Sequence, residues 1–406
     1  MLSLLKGIRV LDLTTVVLGP YATQILADFG ADVIKVEPPT GDVFRSVRPG
    51  HSKDLGAGFL NTNRNKRSIG IDLRNDAGQE AFRGLVRQAD VVVHNMRPKA
   101  ARKLGVDFDT VKRLNPQIVY CFAAGFAHGS EREDDPAYDD TIQAAAGLAY
   151  LNSNADGEPR FVPTILADKV GGLHLALAVL AALASPARGS RPLCIEAPMF
   201  ESLVSFLMVE QLAGRTFDPP LGGIGYARLL PAHRKPFRTK DGYISLLPYT
   251  AQHWSRFLRL VGRDDLCSDP RVTDSVERSR NVGMLSAIIE EFTPHRTTDE
   301  WIALLREHDI PHARVNRIED LLDDPELGVA DMITRFEHPT EGTLLSVRSP
   351  FNVVGEEAPL EDKCAPALGA DTSEVLREAG FDEAAIARLL EQGGVYGPQP
   401  QEMVAK

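Results

Sequence analysis

The sequence predicts an α/β protein with a doubly wound parallel sheet, followed by a smaller domain. From Ile8 to Phe122 short apolar runs alternate with helix-length segments, the pattern of strand–helix–strand units whose helices cover both faces of one sheet. Breakers crowd Arg215–Pro236, where Pro219, Pro220, Gly222, Gly223, Gly225, Pro231 and Pro236 mark a crossing into a region of different composition. The tail Thr372–Gln392 then spaces its apolar residues as two short amphipathic helices would, fit to dock back on the first domain.

Taken in order, Ile8–Leu13, Val33–Val36, Ser68–Asp72, Val91–His94 and Ile118–Phe122 are the strands. Pro20 opens the first helix and Gly30 closes it. Asp76 with Gln79 resembles a capping box for the next, and the basic turn Arg102–Lys103 before Gly105 ends another. Past Asp168 a long helix runs to about Ala184. Its apolar stretch Val170–Ala184 is shorter than the roughly 20 residues that span a bilayer and contains His174, so it reads as a buried helix and no membrane partner is expected. A strand at Leu193–Ala197 and a helix at Met199–Ala213 follow. Beyond the breakers come a turn at Asp241–Gly242, a strand at Tyr243–Leu247, and helices at Trp254–Val261, Asn281–Phe292 and Thr298–His308.

Composition narrows the function. Hydrophobic residues make up 43% of 406 and charged residues 25%, which supports real cores and excludes a disordered or fibrous chain. The 45 Lys and Arg against 56 Asp and Glu leave a net charge of −11, which argues against nucleic acid as a partner. Cys121, Cys194, Cys267 and Cys364 are too scattered for a CxxC metal pair and suit free thiols in a reducing compartment. Met1–Lys6 shows no basic leader ahead of an apolar stretch, so a cytoplasmic protein is expected.

The first strand–loop–helix is the natural place for a dinucleotide, and Glu37 ends the second strand where a ribose-binding acid would sit. Yet the loop Thr14–Pro20 offers only Gly19, where the pyrophosphate fingerprint needs three glycines, which argues against NAD or FAD. Two basic stretches flank strand ends: Arg64, Lys66 and Arg67 before the third strand, and Arg97, Lys99, Arg102 and Lys103 after the fourth. The second stretch lies where an open parallel sheet holds phosphates, although a solvated helix face looks the same. Asp168 is a lone acid opening an apolar helix with Gly171 and Gly172 on its first turn. From spacing it reads first as a helix cap, a role compatible with that of a nucleophile, with glycines that let a bulky ligand approach. His174 reads as a core histidine, and His308 and His312 are separated by Pro311, so no metal site is expected. Gly222, Gly223 and Gly225 suit either a flexible connector or a mobile lid, and Arg234, Lys235 and Arg238 suit either an acceptor carboxylate or a basic turn.

Several separated segments carry a resemblance. Leu5–Glu37 (LKGIRVLDLTTVVLGPYATQILADFGADVIKVE), Asn63–Leu73 (NRNKRSIGIDL), Asn95–Pro98, Ala137–Leu148 (AYDDTIQAAAGL), Ile310–Asn316 (IPHARVN) and Leu368–Leu376 (LGADTSEVL) occur in the order of the class III CoA-transferase family. The chain resembles that family, which also holds formyl-CoA transferases, carnitine CoA-transferases and 2-methylacyl-CoA racemases, over nearly its whole length. The resemblance implies an interlocked homodimer. Each chain would have a Rossmann-like large domain over 1–214, a linker and smaller inserted α+β domain over 215–330, and a return segment over 331–406 whose helices dock on the large domain. It implies that the phosphate-rich ligand is coenzyme A, a carried substrate and not a tightly bound cofactor. By match, Val16, Val17, Leu73, Asn95, Met96, Arg97 and Arg102 are the candidate CoA contacts, while a family contact that is often Arg falls on Pro38. Gly222, Gly223 and Gly225 resemble a glycine loop that closes over the reacting carboxylate.

The resemblance places Asp168 at the family's nucleophile. It implies transfer of CoA from an acyl-CoA to a free carboxylic acid through anhydride and aspartyl-CoA thioester intermediates, with backbone N–H groups near Asp168 or Gly222–Gly223 facing the oxyanions. A racemase of the same family is the rival; it needs two acid/base groups, and the His of the racemases falls on Tyr138, whose phenol with an ordinary pKa near 10 is a poor base. A non-catalytic CoA-binding protein is the third reading, against which the retained Asp168 speaks.

Overall fold

The computed structural model describes residues 1–153, 157–226, 234–355 and 362–398. It divides into two compact units, Met1–Met208 with Asp331–Lys406, and Val209–Ala330.

The first unit opens with β1 (Arg9–Asp12), α1 (Leu18–Asp28), β2 (Asp32–Glu37), α2 (Ala57–Thr62), β3 (Arg67–Ile71) and α3 (Asp76–Val86). Then come β4 (Val91–His94), α4 (Pro98–Lys103), α5 (Phe108–Leu114), β5 (Val119–Phe122), α6 (Asp139–Ala145) and α7 (Leu148–Leu151). The long α8 (Leu166–Leu183) leads to β6 (Leu193–Glu196) and α9 (Met199–Gln211). The second unit holds β7 (Phe237–Arg238), β8 (Tyr243–Leu246), α10 (Ala251–Leu260), α11 (Pro270–Thr273), α12 (Ser275–Arg280), α13 (Val282–Phe292), α14 (Thr298–Glu307), β9 (His312–Arg314) and α15 (Pro325–Val329). The chain then rejoins the first unit through the hairpin β10 (Ile333–His338) and β11 (Gly342–Val347), α16 (Thr372–Glu378), α17 (Glu383–Glu391) and β12 (Val395–Tyr396).

The large sheet has the order β12-β3-β2-β1-β4-β5-β6 and is parallel except for β12, which pairs antiparallel with β3. Strand side chains alternate, so each strand feeds two cores. Val10, Val33, Val91 and Val119 face one way, against Leu26 of α1, Leu175 and Val179 of α8 and Leu203 of α9. Leu11, Ile34, Val92 and Tyr120 face the other, against Phe82 of α3, Val111 of α5, Leu376 of α16 and Leu389 of α17. Burial on both faces is why β4 reads Val-Val-Val-His with no polar alternation. The doubly wound expectation therefore holds, and the antiparallel edge strand β12 adds to it.

Two local readings are corrected. The capping box at Asp76 and Gln79 does not form: Asn75 caps α3, its side chain accepting from the Ala77 N–H at 2.8 Å, while the Gln79 amide donates to the carbonyls of Leu73 and Leu104, each at 2.7 Å. An Asx side chain one position earlier reaches the first free N–H better than a residue already inside the helix. α8 is also not buried all round. Val170, Leu175 and Val179 pack on the sheet, but Leu173 and Leu177 are 45% and 62% exposed on its other side.

The second unit is α+β. The antiparallel sheet β7-β8-β9 and helices α10, α13 and α14 share a core of Phe237, Ile244, Trp254, Phe257, Leu285, Ile289 and Trp301.

Candidate active site

β1 pairs with β2 on one side and β4 on the other, so the strand order reverses between β1 and β4. In an open parallel sheet the crevice outside the strand carboxyl ends at such a reversal is where ligands bind. Thr14–Val17 leaves β1 there, Asn95–Arg97 leaves β4, and Leu73 follows β3, so the CoA candidates Val16, Val17, Leu73, Asn95, Met96, Arg97 and Arg102 share one edge of the sheet.

The loop after β1 is held by side chains. The N–H of Thr14 donates to Asp12 Oδ1 at 2.9 Å, that of Thr15 to Asn95 Oδ1 at 2.9 Å, and that of Val16 to Asp42 Oδ1 at 3.1 Å. Asn95 also donates to the Thr15 carbonyl at 2.9 Å, tying the ends of β1 and β4 together. A dinucleotide loop offers such N–H groups to pyrophosphate, whereas here they are already engaged. These contacts hold Val16 at φ 69°, a conformation that a β-branched residue rarely adopts. Glu37 is committed too. It is buried in a bidentate pair with Arg45, both contacts 2.7 Å, and cannot serve a ribose.

The two basic stretches have different fates. Arg64 pairs with Asp28 at 2.5 Å, Arg67 with Asp32 at 2.7 Å, and Lys66 lies fully buried beneath the loop. The Lys66 ammonium meets Asp12 Oδ2 at 3.0 Å and Thr23 Oγ1 and Asn63 Oδ1, both at 2.8 Å; burial pulls its pKa down to about 8 although Asp12 opposes this. Burial pushes the Asp12 carboxyl up, but Lys66, Lys35 and the hydroxyls of Thr14 and Thr23 outweigh it and hold the group below its ordinary value. This first stretch is a scaffold for the loop, with no cation left for a ligand. Arg97, Lys99, Arg102 and Lys103 are instead exposed on and beside α4, where Arg97 donates to the Asp134 carbonyl at 3.0 Å and Arg102 lies 3.9 Å from Glu133.

Asp168 lies in the first turn of α8. The cap position belongs to Ile165, so the reading of Asp168 as the helix cap is corrected: it is the third helical residue. Its N–H donates to Asp139 Oδ1 at 3.1 Å. Its own carboxylate has no hydrogen-bond partner among the described residues. Burial and then the neighbouring charge of Asp139 raise its pKa to about 7. A half-buried carboxylate of perturbed pKa at the crevice edge of a sheet is a candidate nucleophile on physical grounds. Asp139, the first residue of α6, is the residue that sequence reasoning missed. Its other oxygen accepts from Gln143 at 2.5 Å, and Gln143 accepts from the Val162 N–H at 2.9 Å, which fixes the turn into α8. Its only signal was its place in Ala137–Leu148, a segment that carries the family resemblance. Tyr138 caps α6 and is 68% exposed.

Gly171 and Gly172 do not make room for a ligand as expected. A Cβ on Gly171 would lie 2.7 Å from Leu18 Cδ1, and one on Gly172 would lie 2.6 Å from the Leu18 carbonyl oxygen. They let α8 approach α1, whose Leu18 meets both glycines. His174 Nδ1 donates to the Val170 carbonyl at 2.8 Å, and the residue is half-buried.

Gly222, Gly223 and Gly225 belong to the second unit. The Gly223 carbonyl accepts from the Gly214 N–H at 3.1 Å, and the Gly225 N–H donates to the Gln211 carbonyl at 2.7 Å, so the loop is fastened to the end of α9. Lys235 pairs with Glu290 at 2.9 Å, and Arg234 and Arg238 are exposed. No group of His, Cys, Asp and Glu among the described residues is arranged to hold a metal.

Comparison with known proteins gives a consistent result. Residues 5–372 match CoA-transferase family III. A succinyl-CoA:mesaconate CoA-transferase of Haloarcula marismortui is 31% identical, over 93% of this chain and 97% of its own. A formyl-CoA:oxalate CoA-transferase of Rhodopseudomonas palustris is 30% identical, over 99% of both chains. The crystal structure of Rv3272 from Mycobacterium tuberculosis superposes with a TM-score of 0.79 at 30% identity, covering 92% of this chain and 99% of that one. With the family matched along most of its length and relatives aligned almost end to end, the chain belongs to CoA-transferase family III.

Proposed function

We propose that this CoA-transferase moves CoA from an acyl-CoA to a free carboxylic acid through covalent intermediates on Asp168. The observation that carries the reading is the half-buried carboxylate of Asp168, free of hydrogen-bond donors among the described residues and raised to a pKa of about 7 by burial and Asp139. A carboxylate without donors keeps its electron density for attack.

Asp168 attacks the thioester carbonyl, the C–S bond breaks, and an anhydride forms with release of CoA thiolate. The thiolate then attacks the Asp168 acyl carbon, expelling the donor acid and leaving an aspartyl-CoA thioester. The acceptor carboxylate attacks that thioester, giving a second anhydride and thiolate. The thiolate finally takes the acceptor's acyl group and frees Asp168. Each step passes through an oxyanion, which backbone N–H groups near Asp168 stabilise. Val16, Val17, Leu73, Asn95 and Met96 line the CoA path in this reading, and exposed Arg97 and Arg102 meet its phosphates, since the loop N–H groups are engaged. No metal or tightly bound cofactor enters.

A second copy of the chain completes the site as an interlocked homodimer. The exposed Leu173 and Leu177, one turn apart on an otherwise apolar helix, support a protein partner there. A cytoplasmic location fits these substrates. The racemase reading is not favoured, because Tyr138 stands 68% exposed in place of a histidine. The test is CoA exchange between acyl-CoA and carboxylate pairs with hydroxylamine trapping of the aspartyl thioester. Asp168→Ala is expected to lose both exchange and the trapped adduct; an adduct on another residue would overturn the assignment.

A further inference from the structure

The second unit contains a cavity of about 500 Å3, and none of its lining residues belongs to the Asp168 site or to the CoA candidates. That volume falls within the roughly 300–1,000 Å3 of small-molecule pockets. Its wall is divided. Trp254 of α10 and Leu285 and Ile289 of α13 present the edge of the unit's apolar core, while among the described residues Arg234, Lys235 and Arg278 line the space and no carboxylate does.

In a chain with more acids than bases, cations without an acid among the described lining residues reverse the local sign. Lys235 is already matched by Glu290 at 2.9 Å. The two arginines are not. Arg278 donates to the Val272 carbonyl at 2.6 Å and makes no close ion pair among the described residues, feeling Asp274 only from further off, and Arg234 has no partner among the described residues. A guanidinium presents a planar fork that fits a carboxylate, and two of them beside an apolar wall select an anion with an apolar body.

We propose that this cavity is a binding site for an aliphatic carboxylic acid of medium chain length. The carboxylate meets Arg234 and Arg278, and the chain lies against Trp254, Leu285 and Ile289. The proposal concerns binding and does not rest on Asp168 chemistry.

Calorimetric titration of the full-length protein with octanoate tests it, with octylamine and acetate as the probes that lack the charge or the chain. Octanoate is expected to saturate one site per chain, with both controls at least ten-fold weaker. Arg278→Gln should weaken octanoate at least ten-fold and Arg278→Lys less, because lysine keeps the charge but not the fork. Arg234→Gln, at an exposed position with no partner among the described residues, should weaken it as well. Equal binding of octylamine, or unchanged affinity in both glutamine variants, would overturn the proposal. Asp168→Ala should bind octanoate as the wild type does, and loss of binding there would assign the acid to the Asp168 site instead.

Discussion

Replacing Asp168 with asparagine should stabilise the protein while removing its exchange activity, and the stabilisation should grow with pH. The carboxyl rises from an ordinary value of 3.8 to about 7 because burial, and then Asp139, disfavour its charged form. A folded-state pKa above the unfolded one means that the folded protein holds the proton more tightly. Between about pH 4 and 7 the charged form is therefore imposed at the expense of stability, and the loss is complete above the folded pKa. Three units at about 1.4 kcal/mol each set an upper bound of about 4 kcal/mol at pH 8. Partial solvent access and the positive end of α8 offset some of it, leaving about 1–3 kcal/mol. At pH 5 only about a third of the penalty is present, so the gap between Asp168→Asn and wild type should widen by about 1–2 kcal/mol from pH 5 to pH 8. Urea unfolding of both proteins at the two pH values measures it. A variant less stable than wild type, or a gap that stays constant or narrows with pH, would refute the burial argument and restore Asp168 as an ordinary charged residue of a helix N-terminus.

Gly172→Ala should lower stability by about 1–3 kcal/mol, because its Cβ would press 2.6 Å from the Leu18 carbonyl oxygen; an unchanged melting temperature would show that α1 and α8 give way freely. Asn95→Ala removes both bonds that hold Thr15 and should weaken CoA binding about ten-fold by calorimetry with the fold retained, whereas wild-type affinity would mean that the loop holds itself. In heavy water with a 2-methylacyl-CoA and no acceptor acid, the α-carbon should stay undeuterated; rapid incorporation that depends on Asp168 would promote the racemase. Sedimentation at nanomolar concentration should give a dimer, and a folded monomer would contradict the interlocked assembly.

Much of the fold was legible because it rests on local periodicity. β4 was read at Val91–His94 as found, and β1, β2, β3 and β5 within one or two residues, since strands buried on both faces are continuous apolar runs bounded by polar turns. β12 was missed: two residues, Val395 and Tyr396, carry no period and become a strand only by pairing with Ile71 and Gly70. Asp168 stood out in sequence as the single acid on an apolar helix. Its environment did not, for Asp139 lies 29 positions away and reaches it only because α6 packs on α8.

By itself, then, the sequence determined the α/β class and the family, and it singled out the candidate nucleophile. All of these follow from spacing along the chain or from ordered motifs, and both survive without knowledge of the chain's path. Only the tertiary structure decided which charges remain for a ligand. Arg64, Lys66 and Arg67 look like Arg97 and Arg102 in sequence, yet the first three are spent on Asp28, Asp12 and Asp32. It also decided that Gly171 and Gly172 serve a helix crossing, and that the N–H groups of Thr14, Thr15 and Val16 are taken by Asp12, Asn95 and Asp42. Periodicity reports which face a residue turns to, whereas desolvation and hydrogen bonding depend on what stands opposite, and that is set by segments distant in the chain, 80 residues apart for Thr15 and Asn95.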